Sequence, residues 1–123
     1  MVAKFFAGTA TWSSDLKNLL PFYRDLLGLK VLFDSPEFVV FGESGAATFA
    51  LGTHSEVKGK NADPARHMAG FSVDDIQSEV RRLKDAGIEF VEEPTRQGES
   101  DFWIATCKDP EGNYVQLFQG MPM

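Results

Sequence analysis

An apolar strand runs into an acidic cap and a helical pattern around Trp12-Ser13-Ser14-Asp15-Leu16, and the same order returns at Phe71-Ser72-Val73-Asp74-Asp75-Ile76. Asp15 maps onto Asp75 and Gly28 onto Gly87, an offset of about sixty residues that holds across a whole helix with one residue of slippage. In a chain of 123 residues, half the length is therefore one unit.

In the first unit Leu16, Leu19, Leu20, Tyr23, Leu26 and Leu27 recur at helical spacing, which predicts an amphipathic helix. Ser14 or Asp15 can cap its start, and Gly28 suits the left-handed turn at its end. Pro21 lies inside the stripe, where it lacks a donor and crowds the preceding turn, so a kink or a restart near Leu20 is expected. In the second unit Asp74 with Gln77 resembles a capping box, and Ile76, Val80 and Leu83 form the buried stripe before Gly87.

The segments between the helices read as strands at 31–34, 37–41, 47–51, 88–92, 102–107 and 114–119. Ser35-Pro36, residues 42–45 and Asp109-Pro110-Glu111-Gly112-Asn113 supply the turn chemistry between them. Each half is thus strand, helix, three strands. Residues 54–66, with Gly59, Asn61 and Pro64 and few apolar side chains, read as the linker. The expected organisation is one domain spanning 1–123, with module one at about 3–53 and module two at about 67–120.

Composition narrows the function. Eighteen acidic against twelve basic residues give a formal charge of −6, with no basic stripe to neutralise phosphates, so no nucleic-acid partner is expected. Cys107 is the single cysteine, which excludes an internal disulfide or a CxxC metal knuckle and makes a reducing, cytoplasmic setting the expectation. Phe5-Phe6-Ala7 is too short for a leader or a membrane span, so no membrane partner is expected either.

The repeated βαβββ pattern, the run from Ser14-Asp15-Leu16 through Phe22-Tyr23-Arg24-Asp25 to Leu27-Gly28-Leu29, and the closing Asp109-Pro110-Glu111-Gly112-Asn113 before a strand resemble the vicinal oxygen chelate superfamily. That group includes glyoxalase I, bleomycin and fosfomycin resistance proteins and extradiol dioxygenases. The resemblance implies an α+β fold of two βαβββ modules in tandem, whose curled mixed sheets form an open trough with helices outside. It also implies a homodimer for a chain this short. Alternation along each strand then selects the trough side chains: Gly8, Ala10 and Trp12 on the first strand and Ala50 on the fourth. Met68, Gly70 and Ser72 follow on the fifth and Tyr114, Gln116 and Phe118 on the last, and Trp103 on the seventh joins them as an aromatic beyond what two short helices need to cover. Ala69, Phe71, Val73, Val115 and Leu117 form the opposite, core-facing set.

Enzymes of that superfamily hold a divalent ion in the trough through His, Gln or Glu, and here the sequence departs from them. The first ligand position falls on Gly8, or on Thr9 if the strand carries a bulge; the second falls on Ala50 or Leu51. The third is Met68, with His67 one residue earlier and pointing to the other face, and the fourth is Gln116. A catalytic divalent site takes about three protein ligands at about 2 Å with one position open, and these residues do not supply them. The expectation is a metal-independent small-molecule binding protein, with no cofactor and with Gln116 and Ser72 as polar anchors for a flat, partly apolar ligand. The alternative is a metal-dependent lyase or isomerase of the glyoxalase kind that holds one divalent metal ion through His67 and Gln116, joined by Glu99 or His54.

Overall fold

A computed structural model of the chain describes residues 4–120; the expected start of module one at about residue 3 lies just outside them. The chain divides into two compact units between Gly59 and Lys60. Each unit carries a four-stranded mixed sheet, and the two sheets have the same construction.

In the first unit β1 (Gly8–Ser13) pairs in parallel with β4 (Thr48–Thr53), β3 (Phe38–Phe41) lies antiparallel to β4, and β2 (Val31–Asp34) forms the far edge. In the second, β5 (Ala69–Ser72) pairs in parallel with β8 (Tyr114–Gln119). There β7 (Trp103–Lys108) is antiparallel to β8 and β6 (Phe90–Arg96) is the edge. The two four-stranded mixed sheets with few helices are those of the tandem βαβββ fold expected from the repeat.

The helix expected after β1 is broken. Asp15 caps it, accepting from the Lys17 N–H at 3.0 Å, but Leu16–Asn18 is a single tight turn closed by the Leu19 N–H donating to Leu16 O. A wide-turned segment then runs over Pro21–Leu26, where the Leu27 N–H reaches five residues back to Phe22 O at 2.8 Å. A wide turn rotates later side chains relative to an ordinary helix. Phe22 and Tyr23 therefore join Leu16 and Leu19 in the core, while Leu20, Leu26 and Leu27 of the expected stripe are only half-buried. Pro21 supplies the cause: it sits at the first position of the second segment, where its missing N–H costs nothing.

In the second unit α1 spans Ile76–Asp85 and buries Ile76, Val80 and Leu83 against the sheet. Each such side chain contributes about 2 kcal/mol by leaving water. The cap is Asp75 rather than Asp74, its carboxylate accepting from the Ser78 N–H at 3.3 Å. A second tie was not legible in the sequence: the Ile76 N–H donates to Gln119 Oε1 at 2.8 Å, fastening the start of α1 to the end of β8. Ala105, Cys107, Val115 and Leu117 form the floor beneath α1.

Residues 60–66, the second part of the expected linker, belong to the second unit. The Asn61 backbone N–H donates to Glu111 O, and the Asn61 side-chain amide donates to Asn113 Oδ1, both at 2.9 Å. Among the described residues no helix is long and apolar enough to cross a membrane.

Candidate functional site

In each unit one side of the sheet carries the helical segment, and the opposite side is built from small residues and aromatics. On the first sheet the cross-strand registers are Gly8 with Thr48, Ala10 with Ala50 and Val40, and Trp12 with Gly52 and Phe38. Residues in register share a face, so Gly8, Ala10, Trp12 and Ala50 are all placed opposite the helical segment. Thr9 and Leu51, the alternatives for two ligand positions, fall on the other side, where Leu51 is fully buried. Ala50 is also buried, at 7% exposure.

The most developed feature of this face is an aromatic group. Trp12, 42% exposed, stacks on Phe38 with ring centroids 6.0 Å apart and planes 28° apart. The His54 ring meets the Trp12 ring edge-on at 5.9 Å, its Nδ1 accepting from the Glu56 N–H at 3.1 Å. Gly52 lies beneath, where any Cβ would run into the indole. Phe38 was not among the predicted site residues, and His54 entered only as an alternative metal ligand. Phe38 could have been found from the alternation in Phe38–Phe41 once Val39 and Phe41 are given to the core.

On the second sheet Gly70 pairs with Gln116, and Ser72 with Phe118; across β7, Thr106 pairs with Gln116 and Ile104 with Phe118. Met68, immediately before β5, has the parity of Gly70 and is half-buried. Tyr114, at the start of β8, is half-buried opposite Lys108. The Phe118 ring covers Gly70 and packs on Phe102 at 5.6 Å. Gln116 Nε2 donates to Thr106 Oγ1 at 3.5 Å, the long limit for such a bond, and Ser72 is exposed. Trp103 is the exception among the predicted residues. It pairs with Gln119 and has the parity of Ala105 and Cys107, which places it on the helix-covered side; Ile104 and Thr106 hold the face it was assigned.

A divalent ion of the kind carried by the superfamily's enzymes does not fit these positions. Gly8, Ala50 and Met68 offer no nitrogen or oxygen side chain, and a lone amide is a weak ligand. Gly8 also lacks the room: its φ is +151°, and a Cβ built there collides with the Thr48 carbonyl. His67 precedes Met68 and so has the opposite parity, with an exposed residue surface. No group of three His, Cys, Asp or Glu side chains capable of holding a metal occurs among the described residues.

Residues 7–117 match the family model described as Glyoxalase/Bleomycin resistance protein/Dioxygenase superfamily. The chain belongs to that superfamily. It is 32% identical over 126 aligned positions to a probable lactoylglutathione lyase of Synechocystis, covering 94% of this chain and 95% of that one. It is 47% identical over 49 residues to an uncharacterized protein, YurT, of Bacillus subtilis, a match that spans only 40% of this chain and 37% of that one. Its fold resembles the crystal structure of a protein of unknown function from Agrobacterium tumefaciens, with a TM-score of 0.76, 22% identity and 98% of each chain covered.

Members of a superfamily so described bind small molecules. Asp109 does not add to that chemistry. Asp109 accepts from the Glu111 and Asn113 N–H groups and from Asn113 Nδ2, all within 2.9 Å, so its carboxylate is spent on holding the turn. Cys107 is buried, and burial, followed by the neighbouring Asp109 carboxylate, pushes its thiol up to about 12, which leaves it protonated and unreactive at neutral pH.

Proposed function

We propose that this superfamily member is a small-molecule binding protein that works without a resident divalent ion, in a cytoplasmic setting and as a homodimer. The observation that carries the reading is the face of the first sheet. Where a metal-bearing relative needs donors, Gly8 and Ala50 have none, and farther along the same strands Trp12, with Phe38 of the neighbouring strand, forms an aromatic surface over Gly52. Such a surface favours a flat, partly apolar ligand, since stacking and burial reward shape and apolar area without requiring charge. On the second sheet Gln116 and Ser72 are the polar anchors that fix orientation, and Phe118 is the apolar contact beside them.

The test is elemental analysis of protein purified without chelators, combined with binding of a flat aromatic probe followed by tryptophan emission. Less than one tenth of an equivalent of divalent metal, with probe binding weakened about tenfold by Trp12→Ala, is the expected result. A stoichiometric divalent ion would overturn it.

The likeness to a probable lactoylglutathione lyase favours a second reading, a metal-dependent lyase or isomerase using His67 and Gln116. An ion that binds only the folded state must raise the melting temperature. Nickel or zinc that leaves both the melting temperature and hemithioacetal turnover unchanged removes this reading.

A further inference from the structure

The open face of the second sheet is crossed by one polar row. From the edge strand β6 to β5, Glu92, Thr106, Gln116 and Gly70 stand in register, and residues in register share a face. One step along the strands the same face turns apolar, with Ile104 paired to Phe118. Thr106, at the middle of the row, is only 4% exposed.

That hydroxyl is the group on this face whose hydrogen bonding the fold leaves incomplete. A buried side-chain hydroxyl has a proton to donate as well as lone pairs to accept with, and burial ordinarily goes with use of both. Among the described residues Thr106 Oγ1 has one partner, Gln116 Nε2 at 3.5 Å. The amide is the donor there, so the hydroxyl proton has no acceptor. The same bond commits the nitrogen end of the amide and leaves Gln116 Oε1 as an acceptor without a donor among those residues. Gln116 is half-buried and its amide is held by that one long bond, so it is able to swing and admit a ligand atom to the hydroxyl.

Charge then limits what the ligand can be. Glu89 and Glu93 are paired with Lys108 and Lys84, but Glu92, between them, has no cation beside it among the described residues. Lys108 has the parity of Thr106, yet its Nζ is taken by Glu89 at 2.9 Å. Neighbouring strands lie about 5 Å apart, so an anion brought to Thr106 would stand close to the Glu92 carboxylate.

We propose that Thr106 is the specificity-determining residue of this face, and that the face takes a flat ring bearing an uncharged amide edge, as in a primary carboxamide or a lactam, in preference to a carboxylate. The ligand carbonyl accepts from the Thr106 hydroxyl, the N–H beside it donates to Gln116 Oε1, and the ring lies against Ile104 and Phe118, about 7 Å along the strands. A carboxylate of the same shape has no proton for Gln116 Oε1 and brings its charge beside Glu92. The inference rests on the small-molecule reading and specifies the chemistry that the second sheet takes.

NMR titration of the full chain with 2-naphthamide and with 2-naphthoate, two probes of one shape, tests it. The amide is expected to bind at least about tenfold more tightly than the carboxylate. Thr106→Val, which keeps the volume and removes the hydroxyl, is expected to weaken the amide about tenfold, whereas Thr106→Ser should stay within about twofold of wild type. Glu92→Gln changes an exposed residue and is expected to strengthen the carboxylate about threefold while leaving the amide unchanged. An amide that binds no more tightly than the carboxylate, an amide indifferent to Thr106→Val, or a Thr106→Ser as weak as Thr106→Val overturns the proposal. If neither probe binds at millimolar concentration while the Trp12-dependent aromatic probe does, this inference alone falls; if no flat probe binds, the small-molecule reading falls with it.

Discussion

Gly52 lies directly beneath the Trp12 indole, its register partner across the parallel β1 and β4 pair, and no larger residue can occupy the position without moving the ring. Phe38 closes on Gly52 from the other side, its ring atom 3.0 Å from where a Cβ would stand. The second unit repeats the device with its parts exchanged: there the glycine, Gly70, is on the first strand and the aromatic, Phe118, on the last.

Gly52→Ala is therefore expected to push Trp12 off its seat. The overpacking should cost about 1–3 kcal/mol in urea unfolding. The chain has two tryptophans, so the emission of Trp12 is read in a Trp103→Phe background, where a shift to longer wavelength is expected as the indole moves into water. An unshifted spectrum with unchanged stability would mean that the ring and the glycine do not constrain one another.

Gly8 gives the corresponding prediction for the first ligand position. Introducing an imidazole by Gly8→His forces a Cβ against the Thr48 carbonyl at a backbone conformation that L side chains rarely adopt. The expected outcome is a loss of about 2–4 kcal/mol with no gain in nickel or zinc affinity. A variant as stable as wild type that binds either metal tightly in isothermal titration would show that the position tolerates a ligand after all.

Much of this was legible in the sequence and some was not, for identifiable reasons. The repeat exposed the strand order, and alternation placed Val115 and Leu117 in the core and Gly70, Gln116 and Phe118 opposite them, because a period of two needs no tertiary information. The break at Pro21 was read from the proline itself, but the wide turn that follows it was not, since it also depends on how Phe22 and Tyr23 pack. Trp103 was assigned by its chemistry as an aromatic; the parity it shares with buried Ala105 and Cys107 was the better signal. The steric closure at Gly8 and Gly52 depends on strand register, which one sequence does not contain.

Asp109 is expected to matter for stability rather than chemistry. Its carboxylate accepts two backbone N–H groups and the Asn113 amide, and Asn113 in turn accepts from Asn61. Asp109→Ala strands several buried donors at once and should cost about 3 kcal/mol. Asp109→Asn, which keeps one acceptor oxygen, should cost about half as much. Probe binding by the folded fraction should not change in either variant; a loss of binding at full folding would give Asp109 a role in the site.

Cys107 yields a pH dependence with a definite sign. Burial raises its thiol from the ordinary value of 9.0 to about 12, so between these values the unfolded chain loses the proton while the folded chain keeps it. The folded state then binds more protons than the unfolded one, and stability falls as pH rises through that window, with the full contribution present below pH 9. Urea unfolding of the wild type at pH 8 and pH 10.5 should show this loss, and Cys107→Ala, though less stable at pH 8 from the cavity it leaves, should show a smaller decline over the same interval. At pH 8 a thiol-directed reagent should label Cys107 only as fast as the chain opens, and urea should accelerate the labelling in proportion to the unfolded fraction. Rapid stoichiometric labelling of the native protein, or equal declines in the two proteins, would place the sulfur in contact with water.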